Sequence, residues 1–213
     1  MHDSETQKLV DDHDYFAAMQ SGSKAERMFH PARLKLIKEM ASWRDREVLE
    51  VGSGTGCVAI PLAQAGACVT AVELSEAHLS QLQVYAAAQG LQITGVQADA
   101  RELPFAEDSF DIVVLASLVH LVPDTDRLLQ EAQRVCRPDG RLVIAGPWHR
   151  HPKSMPWLKT LLRGGKAPDA RRKQPFTEEV LKKGLRNSTF LGSKYNYPLG
   201  YFATLFMPDR KSS

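Results

Sequence analysis

A glycine-rich stretch that follows an apolar run constrains the fold of this chain more than any other feature. Residues Val48 to Val51 form an apolar run with one acid, and Gly52, Gly54 and Gly56 follow at alternate positions. Glycine adopts backbone conformations that other residues avoid, and it lets a ligand approach the backbone closely. The N-terminus of a following helix offers unpaired N–H groups to an anion. The stretch therefore predicts a strand, a ligand-binding loop and a helix that begins near Gly56.

Strand and helix patterns alternate along most of the chain. Apolar runs predict five strands, at residues 47–51, 68–73, 95–98, 110–115 and 141–145. Such alternation is typical of a parallel sheet with helices on both faces. Right-handed crossovers bring the C-terminal ends of the strands to one edge, where ligands bind. A turn at residues 137–140 precedes the fifth strand, and two last strands near 195–197 and 201–207 close the sheet.

The chain of 213 residues is expected to form one domain with four parts. These are an N-terminal helical cap (1–44), a ligand-binding core (45–148), a basic lid-like insertion (149–174) and a C-terminal helix with closing strands (175–213). In the cap, residues 1–14 show no regular pattern, and Pro31 predicts the first position of a helix.

The basic insertion makes the charge distribution uneven. Residues 149–174 carry eight Lys and Arg against Asp169 alone, a net charge of +7 in a chain whose total is +2. Trp157 and Leu158 lie between these cations, which suits an amphipathic acceptor with an anionic part, or a lipid surface. The alternative is contact with nucleic acid phosphates, which is disfavoured because stacking aromatic residues are lacking. A solvated loop is a third reading.

Cysteine usage and hydropathy predict a cytoplasmic protein. Cys57, Cys68 and Cys136 are odd in number and lie in apolar patterns, which predicts buried, reduced thiols. No Cys/His group has the spacing of a zinc site, so we expect no metal. The apolar run from Ile112 to Val122 is too short to span a bilayer, and the acidic N-terminus has no signal peptide pattern.

The glycine stretch resembles the E/D-x-G-x-G-x-G motif of the class I S-adenosylmethionine-dependent methyltransferases. It departs from the dinucleotide fingerprint because Cys57 stands where a third glycine would be, and it lacks the G-K-[ST] of phosphate loops. The run from Ala98 to Phe105 resembles the "D-A-x-x-L-P-F" pattern of the ubiquinone/menaquinone-biosynthesis-like members. Residues 129–142 resemble their "E-x-x-R-V-L-x-P-G-G" stretch, with Cys136 and Asp139 as departures.

This resemblance covers about residues 48–148 and implies both a fold and a set of site residues. The implied fold is a Rossmann-like, seven-stranded, mostly parallel sheet with helices on both faces and an antiparallel last strand. In such a site Glu73 accepts the ribose hydroxyls, Asp99 accepts the adenine amino group, and the carbonyl of Ala116 accepts the cofactor's ammonium. The cofactor-binding residues implied are Glu50, Gly52, Ser53, Gly54, Gly56, Glu73, Leu74, Asp99, Ala100 and Ala116.

His120 follows the fourth strand, where the resemblance places residues beside the transferable methyl group. A histidine there can remove a proton from a hydroxyl acceptor. Methyl transfer also proceeds by alignment and desolvation alone, so a packed histidine with no chemical role remains an open alternative.

The resemblance implies methyl transfer from S-adenosyl-L-methionine, and we expect a small aromatic, quinol-like or amphipathic acceptor. No D/N-P-P-Y motif follows the fourth strand, which argues against adenine or glutamine N-methylation. Two alternatives are a tRNA or protein methyltransferase that uses residues 149–174 and a non-catalytic, cofactor-binding partner subunit. The sequence does not determine the acceptor atom or the oligomeric state.

Overall fold

The computed structural model describes residues 24–147, 178–185, 187–196 and 201–209. Its elements in chain order are α1 (Lys24–Lys38), β1 (Glu47–Val51), α2 (Ala59–Gln64), β2 (Cys68–Glu73), α3 (Glu76–Ala87), β3 (Ile93–Gln97), β4 (Phe110–Ala116), α4 (Thr125–Val135), β5 (Cys136–Pro147), α5 (Glu178–Gly184), β6 (Ser188–Asn196) and β7 (Tyr201–Pro208). The expectations for residues 1–14 and for the basic insertion fall outside the described residues.

The seven strands form one sheet with the order β3-β2-β1-β4-β5-β7-β6. The first five strands pair in parallel, whereas β7 is antiparallel to both β5 and β6. The chain builds outward from β1 to β3 and then returns to place β4 on the other side of β1. This reversal opens a crevice between the C-terminal ends of β1 and β4, where such folds bind ligands. The predicted fold is confirmed.

Two apolar cores cover the opposite faces of the sheet, as the alternation of side chains along β4 shows. Val113 and Leu115 pack in one core with α4 and α5, while Ile112 and Val114 pack in the other with α1 and α2. Residues of a strand point alternately to the two faces. A strand buried on both faces is therefore apolar throughout, as residues 112–116 of β4 are.

Two predicted helix starts were wrong. Helix α1 runs through Pro31 instead of beginning there. Its C-terminal half buries Leu36 and Ile37 against the sheet, and this burial offsets the cost of an internal proline. Helix α2 begins at Ala59 and not near Gly56, because the positive φ angles from Gly52 to Gly56 exclude helix from that stretch.

The predicted turn at residues 137–140 was also wrong, because these residues lie within β5. Cys136 pairs with Phe110 and Arg141 pairs with Ile112, so four residues of β5 stand opposite a single residue of β4. Irregular pairing of this kind bends a strand without ending it. Gly140 fits the bend because a Cβ there would lie 2.7 Å from the Asp111 carbonyl oxygen.

The cysteine prediction held for two of three residues. Cys57 and Cys136 are buried and all three thiols are free, whereas Cys68 is exposed. Cys68 is the first residue of β2 and pairs with the exposed Glu47 at the N-terminal edge of the sheet, outside both cores. Among the described residues no helix is long and apolar enough to cross a membrane. Within the same ranges no cluster of His, Cys, Asp and Glu has the composition of a metal site.

Candidate functional site

The loop after β1 is attached to β2 by its backbone. The N–H groups of Gly52 and Ser53 donate to the carbonyl oxygen of Val72, at 2.8 and 3.0 Å. Gly52, Gly54 and Gly56 all have positive φ angles, of 73°, 52° and 94°. The alternate glycines therefore let the chain reverse at the C-terminal edge of the sheet before α2 begins.

Two of these glycines are also required by close contacts. A Cβ on Gly52 would lie 2.7 Å from Leu118 Cδ1, in the loop after β4. A Cβ on Gly56 would lie 3.0 Å from both Ile60 and Leu82, which join α2 to α3. Gly52 thus brings the β1 and β4 loops together, and Gly56 lets α2 pack closely.

Glu73, at the end of β2, lies directly beside the glycine loop. Its Oε2 accepts the Gly54 N–H at 2.8 Å, and its Oε1 accepts the N–H groups of Leu74 at 2.8 Å and Ser75 at 3.2 Å. The residue is only 7% exposed. These three bonds occupy three of about four acceptor sites of a carboxylate. Ser75 caps α3 by accepting the His78 N–H, so Glu73 is not the helix cap.

Glu50 is a buried acid on the face of β1 that looks toward α1 and α2. It alternates with Val48 along the strand, and Val48 packs in the core with those helices. Burial raises the pKa of Glu50 to about 8, although the Arg33 guanidinium and the Ala59 N–H oppose the shift. Its Oε2 makes no hydrogen bond within the described part of the chain. This oxygen can accept a bond from a cationic or N–H group of a ligand.

Arg33 reaches the same edge from α1. The residue is 7% exposed, and its Nη1 donates to the Ser117 hydroxyl oxygen at 2.9 Å. Ser117 follows β4 directly, with a φ angle of 60°, and its N–H donates to the Ala145 carbonyl oxygen. A guanidinium and the Glu50 carboxyl thus flank the crevice between β1 and β4.

Asp99 follows β3 and is held by Arg101. The Arg101 backbone N–H and Nε donate to Asp99 Oδ1 at 2.8 and 3.1 Å, and Nη2 donates to Oδ2 at 2.7 Å. Ala100 lies between them, half-buried against the core below α4. The carboxylate predicted to meet adenine therefore already has a cationic partner.

One face of α4 holds the loop from Arg101 to Phe105. Arg127 Nε donates to the Arg101 carbonyl, and the buried Glu131 accepts the Leu103 N–H. Arg134 donates to the carbonyls of Leu103 and Phe105 and to Glu131. The Arg134 hydrogen bond holds the pKa of Glu131 below its usual value, against the effect of burial. Helix α4 thereby fixes the backbone that follows Asp99.

His120 lies in a turn after β4 in which the Leu121 N–H donates to the Leu118 carbonyl. The residue is half-buried, and its neighbour Val119 is buried in the core. Ala116 is the last residue of β4 and is also buried. The turn carries Leu118 onto Gly52, so His120 stands two residues from the contact between the two loops.

The described contacts join the predicted residues of β1, β2 and β4 at one edge of the sheet. Leu74 belongs to the β2 group, because its N–H donates to Glu73 and its carbonyl accepts from Gln97. The roles of the site residues toward a ligand stay predictions. Sequence reasoning missed Arg33, Leu118 and Arg101. The Arg33–Ser117 bond spans 84 residues and has no local signal, whereas Arg101 lies inside a recognised motif.

Known proteins resemble the central part of the chain. A family described as "Methyltransferase domain" matches residues 49–144. The phosphatidylethanolamine N-methyltransferase of Cereibacter sphaeroides is 38% identical over 109 residues, which are 50% of this chain and 53% of that protein. The ubiquinone biosynthesis O-methyltransferase of Coxiella burnetii is 32% identical over 118 residues, 55% of this chain and 50% of that protein.

Solved structures agree in fold. A SAM-dependent methyltransferase from Aquifex aeolicus has a TM-score of 0.66 and 18% identity, and the match covers 98% of this chain and 100% of that one. The chain spans between 35% and 53% of the length of the curated relatives it matches. The motif order, the sheet order and the family match agree. Residues 49–144 therefore match a methyltransferase domain, and the sheet has the fold that the resemblance in the sequence implied.

Proposed function

We propose that this chain is an S-adenosylmethionine-dependent methyltransferase whose acceptor is a small, amphipathic molecule with an aromatic or quinol-like part. One observation carries the cofactor part of the proposal: Glu73 is bonded to the glycine loop at the edge where β1 and β4 separate. A buried carboxylate with one acceptor site left lies beside a backbone without side chains, which suits a ligand with a hydroxyl group and an adjacent polar tail.

The residues present fit the cofactor. Glu50 has a buried oxygen without a hydrogen bond, and Gly52 lies where a side chain would collide with Leu118. In our proposal Gly52, Ser53, Gly54 and Gly56 surround the methionine part, and the Ala116 carbonyl and Glu50 face its ammonium. Glu73 and Leu74 contact the ribose, and Asp99 and Ala100 contact the adenine. When bound, S-adenosylmethionine supplies an electrophilic methyl group.

The chain itself is proposed to align the acceptor and to exclude water. Leu118 covers Gly52 and Val119 anchors the loop after β4 in the core. His120, in the same turn, is proposed to take a proton from a hydroxyl acceptor or to orient it. Alignment and desolvation supply the remaining acceleration.

The choice of acceptor class rests on the basic insertion and on two relatives. Residues 149–174 interleave cations with Trp157 and Leu158, a composition that suits an anionic or lipid-like molecule. The relatives are named for phosphatidylethanolamine and for ubiquinone biosynthesis. We also propose a reducing compartment such as the cytoplasm, since the thiols of Cys57 and Cys136 are buried and free.

Calorimetry tests the cofactor. We expect S-adenosylhomocysteine to bind with micromolar affinity, while NAD does not bind. The Gly52→Ala variant should lose this affinity because of its contact with Leu118. Gly90→Ala is the matched control, since Gly90 also has a positive φ angle (67°) but open space around its Cβ position. Tight binding of NAD without any heat from S-adenosylhomocysteine would refute the proposal.

A labelled methyl group identifies the acceptor. We expect the label from S-adenosylmethionine to enter an organic-soluble product when phosphatidylethanolamine micelles or a prenylated catechol are supplied. Label in bulk tRNA that is lost when Arg171, Arg172 and Lys173 are neutralised together would support the nucleic acid alternative. Cofactor binding with no methyl transfer to any of these acceptors or to protein would favour a partner subunit.

A further inference from the structure

The further inference concerns the ion pair between Asp99 and Arg101. It rests on the proposed function, in which Asp99 contacts the adenine of the cofactor. Arg101 Nε also lies 3.2 Å from Asp99 Oδ2, in addition to its bond to Oδ1. Each carboxylate oxygen thus accepts twice from Arg101. Three N–H groups of Arg101 make these contacts, and the single Nε hydrogen is shared between the two oxygens, so Arg101 occupies most of the roughly four acceptor sites of the carboxylate.

The geometry leaves the Arg101 side chain able to release Asp99. Its backbone is fixed, because its N–H is bonded to Asp99 and its carbonyl accepts from Arg127. The side chain, by contrast, is 35% exposed and that of Asp99 is 24% exposed. A partly exposed ion pair is weak enough to exchange with a ligand.

We propose that Arg101 sets the affinity and the base specificity of the adenine subsite by competing with the adenine amino group for the Asp99 carboxylate. Both Asp99 oxygens accept from Arg101, so an amino group that bonds to Asp99 competes with the guanidinium for the same carboxylate. A base with an oxygen in place of the amino group offers no donor at that atom and does not displace Arg101. The guanidinium therefore reduces the preference of the site for adenine.

The experiment compares two ligands, S-adenosylhomocysteine and S-inosylhomocysteine, which differ at that atom. Calorimetry is done on the wild-type chain and on the Arg101→Gln variant. Arg44→Gln is the matched control, because Arg44 is exposed and precedes β1 at the opposite edge of the sheet. We expect Arg101→Gln to bind S-adenosylhomocysteine about two- to fivefold more tightly, the range of a partly exposed ion pair. Its affinity for S-inosylhomocysteine should be unchanged or lower.

A second variant, Asp99→Asn, shows whether the effect passes through Asp99. In that background Arg101→Gln should no longer change the ratio of the two affinities. The inference is overturned if Arg101→Gln weakens S-adenosylhomocysteine, leaves it unchanged, or strengthens both ligands equally. A wild-type chain that binds neither ligand would instead overturn the proposed function.

Discussion

Replacing Glu73 by glutamine tests whether this carboxylate holds the glycine loop. The carboxamide keeps one acceptor oxygen and gains two donors. If that oxygen still accepts from the N–H groups of Leu74 and Ser75, the new NH₂ group faces the Gly54 N–H. In the wild-type chain this N–H donates to Glu73 Oε2 at 2.8 Å. The glutamine NH₂ group and the Gly54 N–H are then two buried donors without an acceptor between them, and the bond from Gly54 to a charged group is lost.

The cost follows from that geometry. Loss of a hydrogen bond to a charged group with a buried donor left unpaired is worth about 1–3 kcal/mol. We expect the free energy of unfolding of Glu73→Gln, measured by urea denaturation, to fall by that amount. Glu76→Gln is the control, since Glu76 is exposed in the first turn of α3 and its loss should change stability by less than about 0.5 kcal/mol.

The same variant separates the two roles of Glu73. We expect its affinity for S-adenosylhomocysteine to fall as well, because the loop and the ribose partner are both altered. Equal unfolding free energies for Glu73→Gln and Glu76→Gln would refute the structural argument. A lower stability with unchanged cofactor affinity would support the structural role of the bond to Gly54 but contradict a contact between Glu73 and the ribose.

Three further predictions concern other residues of the site. His120→Ala should lower turnover more than cofactor affinity; equal turnover across pH 6 to 9 would remove His120 from the mechanism. Because the pKa of Glu50 is raised to about 8, the folded chain keeps a proton that the unfolded chain releases above pH 4.5. The free energy of unfolding should therefore fall as pH rises from 4.5 to 8, by at most roughly 1.4 kcal/mol per pH unit, and Glu50→Gln should flatten this pH dependence when it is measured by urea denaturation. Arg134→Gln, which loses bonds to Leu103 and Phe105, should destabilise by about 1–3 kcal/mol, whereas a thermal midpoint equal to wild type would contradict this.

The sequence predicted the parts of the site that are encoded locally. The three glycines and the strand before them specify a backbone path, because few residues adopt their φ angles. Glu73 was found because the family resemblance points to the acid after the second strand, and the end of a parallel strand has a defined place in the sheet. The two apolar faces of β4 likewise follow from a strand that is apolar throughout.

Contacts between distant parts of the chain were not predictable in this way. Arg33 lies on a helix whose pattern is set by its apolar neighbours, and nothing local pairs it with Ser117. Pro31 and the stretch from Arg137 to Gly140 carry strong local signals for a helix start and a turn. Burial of α1 and pairing of β5 with β4 override those signals, because tertiary packing contributes more than local preference.

Side chains of helix α4 fix the backbone of the loop between β3 and β4. The side chains of Arg127, Glu131 and Arg134 bond to main-chain atoms of that loop. Side chains of the loop can therefore be exchanged without loss of these bonds, except that proline at Leu103 would remove the N–H bonded to Glu131. The shape of the loop is encoded in α4, and the chemistry it presents is encoded in the loop itself. If the loop contacts the base as we propose, its residues can change which base the site prefers while the backbone that carries them keeps its shape.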